Sequence, residues 1–180
     1  MLTLILGGAR SGKSRFAQSL CSTSSKVAYI ATARIEDEEM RARVNRHRLE
    51  RPSSWMTVEE PLAIAKAVRG NVPDYDFILL DCLTLWLSNL AWEHRAVATE
   101  TLEEAVSDEL SQLTSLSVAT QLIVVSNEVG CGIVPDSPVG RQFRDLQGWA
   151  NQHIAGQAQI VYQMVAGIPV VVKAPVKGGM

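Results

Sequence analysis

Short apolar runs alternate along this chain with longer stretches in which apolar residues recur every three or four positions. The runs at 2–6 (LTLIL), 26–32 (KVAYIAT), 76–81 (DFILLD) and 121–128 (QLIVVSNE) are too short for helices and rich in aliphatic residues. They predict strands covered on both faces, as in a parallel sheet. Segments 158–167 and 168–173 predict two more strands, paired as a hairpin. Helical spacing fills the intervals. In 13–21, Phe16, Ala17 and Leu20 share one face. Segment 37–51 has acids in its first turn and bases towards its end, which complements the helix dipole, and it stops at Pro52. Segment 61–70 has Pro at its start and Gly at its end. Helices are also predicted over 83–94, 101–116 and 137–157.

Strand and helix in turn predict an α/β fold, three layers built on a mostly parallel sheet with a C-terminal strand pair. At 180 residues the chain is expected to be a single domain, 1–180. In such sheets the chemistry lies beyond the carboxyl ends of the strands. That directs attention to 7–14, 31–34, 81–84 and 126–136.

Composition changes this picture little. Hydrophobic residues make up 47% and charged residues 20%, which suits a globular protein with a substantial core. The formal net charge of -2 provides no global basic field for nucleic acid. Three cysteines, Cys21, Cys82 and Cys131, lack CxxC spacing, so neither a disulfide framework nor a zinc site is expected and a reducing cytoplasm fits. No signal peptide and no bilayer-spanning run is read.

The strongest chemical signal follows the first strand. Gly7-Gly8-Ala9-Arg10-Ser11-Gly12-Lys13-Ser14 fits G-x-x-x-x-G-K-[ST] between a strand and a helix. Glycines let backbone N–H groups converge on an anion, Lys13 would reach the β/γ-phosphates, and the Ser14 hydroxyl would ligate Mg²⁺. Asp81 ends a buried strand, where a carboxylate can hold that metal; the alternative is a cap for the next helix, with Thr84 supporting or capping. Of three histidines, His94 and His153 read as ordinary helix residues. His47 lies among Arg41, Arg43, Arg46, Arg48 and Arg51, on a face with Met40 and Val44. Two readings stay open for it: a boundary histidine on a solvated basic helix, or a nucleophile on phosphorus assisted by the arginines.

Five segments occur in order between residues 7 and 155: GGARSGKSRFA, YIATARIEDEEMRARVNRHRLERPSSWMTVEEP, LLDCLTLWLSNL, VSNEVGCGIVP and GRQFRDLQGWANQHIA. Together they resemble the bifunctional adenosylcobinamide kinase / adenosylcobinamide-phosphate guanylyltransferase family. The resemblance implies a P-loop nucleoside-triphosphatase fold of the RecA-like kind and two reactions. A nucleoside triphosphate, ATP or GTP, phosphorylates adenosylcobinamide. GTP then donates GMP to adenosylcobinamide phosphate through a GMP-histidine intermediate, which falls to His47. It further implies that Ala31, Thr32 and Ala33 contact the nucleotide, and that Arg48, Leu49, Glu50 and Arg51 line the GMP site. Glu59 would accept from the guanine edge, and Asp81 would serve metal or nucleotide. A homotrimer is implied, with Trp86, Leu87 and Trp92 as candidate interface residues. Segment 127–135 would shape the corrinoid or nucleotide site, or simply close the sheet edge as a turn.

Three rival classes differ in what they need. A plain small-molecule kinase has no use for His47. A GTP-dependent regulator needs a switch segment, which is not evident here. Nucleic-acid binding by the Arg-rich helix lacks interleaved aromatic platforms and a basic chain.

Overall fold

The structure is a computed structural model that describes residues 1–21, 25–96 and 99–175. Its elements in chain order are β1 (Leu2–Gly7), α1 (Lys13–Ser19), β2 (Val27–Ala31), α2 (Glu38–Leu49), β3 (Met56–Glu59), α3 (Ile64–Asn71) and β4 (Phe77–Asp81). There follow α4 (Leu83–Glu93), α5 (Thr99–Ser115), β5 (Gln121–Val125), α6 (Pro138–Gln157), β6 (Ile160–Val165) and β7 (Ile168–Lys173). The strands form one sheet in the order β3-β2-β4-β5-β1-β6-β7. All neighbours are parallel except β6 and β7, which pair antiparallel as the hairpin expected at the C-terminus.

The period-2 alternation of each strand divides the core in two. Leu4, Ile30, Leu80 and Val124 face α3, α4, α5 and α6. Ile5, Tyr29, Leu79, Ile123 and Val125 face the other way, with Ala17 of α1. Both faces of the central strands are therefore dry, which explains their unbroken apolar sequence. The three-layer α/β reading holds.

Four expectations need correction. The strand β3 was not expected: its four residues, MTVE, are half-buried or exposed at the sheet edge, and an alternation this short carries little signal. Pro61 does not start a helix. Helix α3 begins at Ile64, and the Glu60 carboxylate accepts from Leu62 N and Ala63 N just ahead of it. The strand predicted over 121–128 ends at Val125. Trp86 and Leu87 are not surface residues but fully buried core, and the Trp86 indole donates to Leu62 O at 2.8 Å. Only Trp92 of that trio is exposed, at 60%.

Helix α2 stands apart: none of its residues is buried. It persists through local terms, with Asp37 capping Met40 N at 2.7 Å and Glu38 pairing with Arg41 at 3.1 Å. Met40, Val44 and His47 are its only half-buried residues, which confirms the single inward face read from the spacing.

Candidate active site

Strand β5 lies between β1 and β4, so the loop after β1 and Asp81 at the end of β4 are two strand spacings apart, about 10 Å. The β1–α1 loop bends as its glycines allow. Gly12 precedes α1 at φ 92°, and Gly7 has φ 153°. A Cβ on Gly7 would lie 2.7 Å from Ser11 Oγ and 2.9 Å from Met164 O. The loop is also fastened to the β6–β7 turn, where Gly167 N donates to Ser11 O at 3.0 Å.

Lys13 folds back under this loop. Its buried ammonium donates to Gly7 O at 2.9 Å and Gly8 O at 2.7 Å. Burial holds its pKa below the ordinary lysine range. A Cys82 thiolate would oppose that shift, but burial raises the Cys82 pKa to about 12 and keeps it protonated near neutral pH. Asp81 is therefore the working counter-charge, and Arg43 of α2 pushes in the same direction as burial.

Asp81 caps no helix. Its Oδ2 accepts from the Tyr29 hydroxyl at 2.5 Å, while the N-cap position of α4 is Cys82, whose side chain makes no cap bond. The Arg51 guanidinium lies 3.4 Å over the Tyr29 ring, and its Nη1 contacts Thr57 Oγ1 at 3.5 Å. Arg51, Tyr29 and Asp81 thus form one chain of contacts from the end of α2 to the end of β4. Asp81 Oδ1 and Ser14 Oγ have no hydrogen-bond partner among the described residues. Each is a hard oxygen donor of the kind Mg²⁺ takes.

Thr32 is wholly buried; its hydroxyl donates to Cys82 O at 2.7 Å and accepts from Cys82 N at 2.9 Å. Its side chain braces β2 against β4. Ala31 O accepts from Glu60 N at 2.9 Å, and Ala33 is half-buried. Arg48 pairs with Glu59, both exposed. Leu49 is 87% exposed and Glu50 ends α2 in solvent. Gly8, Ala9 and Arg10 are exposed on the phosphate loop.

The structure sets the loop that holds Lys13 and the strand end that carries Asp81 at one edge of the sheet, and it links Arg51 to Asp81 through Tyr29. His47 lies one helical turn beyond Arg43 on α2. His94 caps α4, and His153 packs on Trp149 at 5.6 Å in the outer layer. Sequence reading missed Tyr29, which looks like any strand aromatic, and named Arg43 only as one of five arginines around His47. It left Thr84 open between supporting and capping; the Thr84 hydroxyl accepts from Asn127 N at 2.9 Å.

Comparison with known proteins identifies the family. The family model described as cobinamide kinase / cobinamide phosphate guanyltransferase matches residues 3–172. The bifunctional adenosylcobalamin biosynthesis protein CobP of Pseudomonas aeruginosa is 43% identical over 179 residues, covering 99% of this chain and 98% of that protein. The proteins named bifunctional adenosylcobalamin biosynthesis protein CobU are 38% identical in Escherichia coli and 37% in Salmonella typhimurium, each over 96% of this chain and all of the relative. A phosphate loop, a carboxylate across the sheet and an Arg-flanked histidine helix thus stand in a chain that belongs to the cobinamide kinase / cobinamide phosphate guanyltransferase family.

Proposed function

We propose that a single site at the carboxyl edge of this sheet performs both reactions of the family, with the phosphate loop common to both and His47 used in one. The observation that supports this most directly is the chain of contacts from Arg51, just past α2, over the Tyr29 ring to Asp81 at the end of β4. It ties the end of the helix that carries His47 to the carboxyl edge of the sheet.

In the kinase step Lys13 and the loop amides hold the triphosphate of ATP or GTP, and the hydroxyl of adenosylcobinamide attacks the γ-phosphorus. Ser14 and Asp81 would hold Mg²⁺, which when bound supplies charge neutralisation on the phosphates. In the guanylyl step a ring nitrogen of His47 attacks the α-phosphorus of GTP and pyrophosphate leaves. The phosphate of adenosylcobinamide phosphate then displaces the histidine and takes the GMP. Arg48, Leu49, Glu50 and Arg51 line the nucleotide, with Arg48 and Arg51 supplying charge, and Gly7 to Ser14 with Ala31 to Ala33 complete the site. Glu59 keeps Oε2 for the guanine edge while Oε1 pairs with Arg48. The two reactions address different phosphorus atoms. The absence of buried residues in α2 supports a helix that shifts between them.

Covalent labelling tests the histidine. GTP labelled at the α-phosphate, with Mg²⁺ and no corrinoid, should leave acid-labile, alkali-stable label on the protein and none on His47→Ala. Equal label on both would refute the assignment.

The single domain works as a homotrimer in a reducing cytoplasm. Support for assembly comes from β7, an edge strand whose Ile168, Val170, Val171 and Val172 are 65%, 47%, 56% and 65% exposed. Light scattering should return three chain masses; a monomer would contradict this. All three cysteines are free, and no helix among the described residues is long and apolar enough to cross a membrane.

A further inference from the structure

We propose that the side-chain amide of Asn127 is a catalytic group of the phosphoryl-transfer step, donating a hydrogen bond to the γ-phosphoryl oxygens as they move. This rests on the kinase reading above and adds a residue to it.

The sheet register places Asn127. Strand β5 pairs with β1 and β4, with Val125 level with both Ile5 and Asp81. The ladder runs on beyond the strand: Ser126 N donates to Ile5 O at 2.9 Å and Glu128 N to Gly7 O at 3.1 Å. Side chains along such a segment alternate between faces. Val125 packs on the α1 side with Ile5 and Tyr29. Ser126 points to the opposite side, where its hydroxyl donates to Asn151 Oδ1 of α6 at 2.6 Å. Asn127 therefore returns to the α1 side. That side also holds Lys13, the first residue of α1, and Asp81, bonded there to Tyr29. Because β5 lies between the other two strands, its tip falls between Lys13 and Asp81. Gly7 O accepts from both Lys13 Nζ and Glu128 N, so the segment abuts the ammonium directly.

The backbone of Asn127 is clamped at both ends. Its N–H donates to Thr84 Oγ1 at 2.9 Å, and its carbonyl accepts from Asn151 Nδ2 at 3.1 Å. Asn151 is oriented in turn by Ser126 and by Gln147 Nε2, which donates to Ser126 Oγ and Asn151 Oδ1, each at 3.0 Å. Gln147 and Asn151 are buried, and Gln147 Oε1 has no partner among the described residues. A buried polar network of this kind is a device for fixing position. The half-buried Asn127 carboxamide itself makes no hydrogen bond among the described residues. It is a neutral donor held beside a cation and a carboxylate, with its bonding capacity free.

The chemistry balances without a proton on Asn127. The substrate oxygen forms a bond to the γ-phosphorus, and the bridging P–O bond breaks. The nucleoside diphosphate leaves with the electron pair, and the hydroxyl proton passes to solvent. The amide stabilises charge on the transferring group. In guanylyl transfer no bond to the γ-phosphorus forms or breaks, so the amide has no transferring group to stabilise there.

The test compares Asn127→Ala and the near-isosteric Asn127→Asp with wild type, using cobinamide, GTP and Mg²⁺. For Asn127→Ala, kcat for cobinamide phosphorylation should fall about 10²-fold, with KM for GTP and the rate of GMP labelling from α-labelled GTP within roughly threefold. Asn127→Asp, which sets a carboxylate against the phosphate, should fall further. Phosphorylation within roughly threefold of wild type in both variants would overturn the proposal. So would a parallel loss of labelling, which marks a structural role. If Asn127→Ala does not fold, Asn127→Asp decides alone by the same criteria. A wild-type protein that makes no cobinamide phosphate would remove the kinase reading itself.

Discussion

Replacing Thr32 by Val gives a measurable test of how the site is held together. The hydroxyl is fully buried and makes two bonds across the β2–β4 gap, accepting from Cys82 N and donating to Cys82 O. The two bonds are not equal. Cys82 O also accepts from Trp86 N at 3.2 Å and stays satisfied without Thr32. Cys82 N has no second acceptor among the described residues, so Val leaves one buried N–H unpaired. Such a group costs about 1–3 kcal/mol. At about 2–4 °C per kcal/mol for a chain of this size, Tm should fall by about 2–12 °C. Val nearly preserves the side-chain volume, so little cavity cost is added. Thr32→Ser keeps the hydroxyl and removes a methyl, at about 0.5–1.5 kcal/mol. Urea denaturation of both variants separates the terms, with Val the more damaging. A Val variant within about 0.5 kcal/mol of wild type would refute the brace.

Further expectations concern Lys13 and the core. Burial lowers the Lys13 pKa, so the folded ammonium loses its proton before an ordinary lysine of 10.5 would. Nucleotide phosphate needs the charged form. GTP affinity should be highest below the folded pKa and fall as pH rises through it; calorimetric affinities that stay flat beyond 10.5 would contradict this. Trp86→Ala should cost about 3–5 kcal/mol in urea denaturation, whereas Trp92→Ala should cost about 0.5 kcal/mol or less, and equal costs would contradict their burial.

Much of this fold was legible because the central strands are dry on both faces, so short aliphatic runs such as FILLD had one reading. Strand β3 was not legible. Its four residues do alternate apolar and polar, but the run is too short to stand out from its surroundings, and pairing with β2 at the sheet edge makes MTVE extended. The strand–loop–helix setting of residues 7–14 could be read outright because its motif is local. Asp81 could be read only as a strand end; whether it capped α4 or faced the phosphate loop depended on Tyr29, 52 residues earlier in the chain. Trp86 and Leu87 were misjudged for a related reason. Helix α4 is apolar on most sides, so its sequence does not reveal which side meets α5 and α6. Asn127 gave only a weak signal, a polar tip on an apolar strand. Its clamps come from α4 and α6, which no local pattern connects.

The central claim is that one phosphate loop serves two reactions and that His47 serves only the second. Product analysis of His47→Ala and Lys13→Ala, each given cobinamide, GTP and Mg²⁺, tests it most directly. The account predicts that His47→Ala accumulates cobinamide phosphate and makes no GDP-linked product, while Lys13→Ala makes neither. Formation of the GDP-linked product by His47→Ala at the wild-type rate would contradict it.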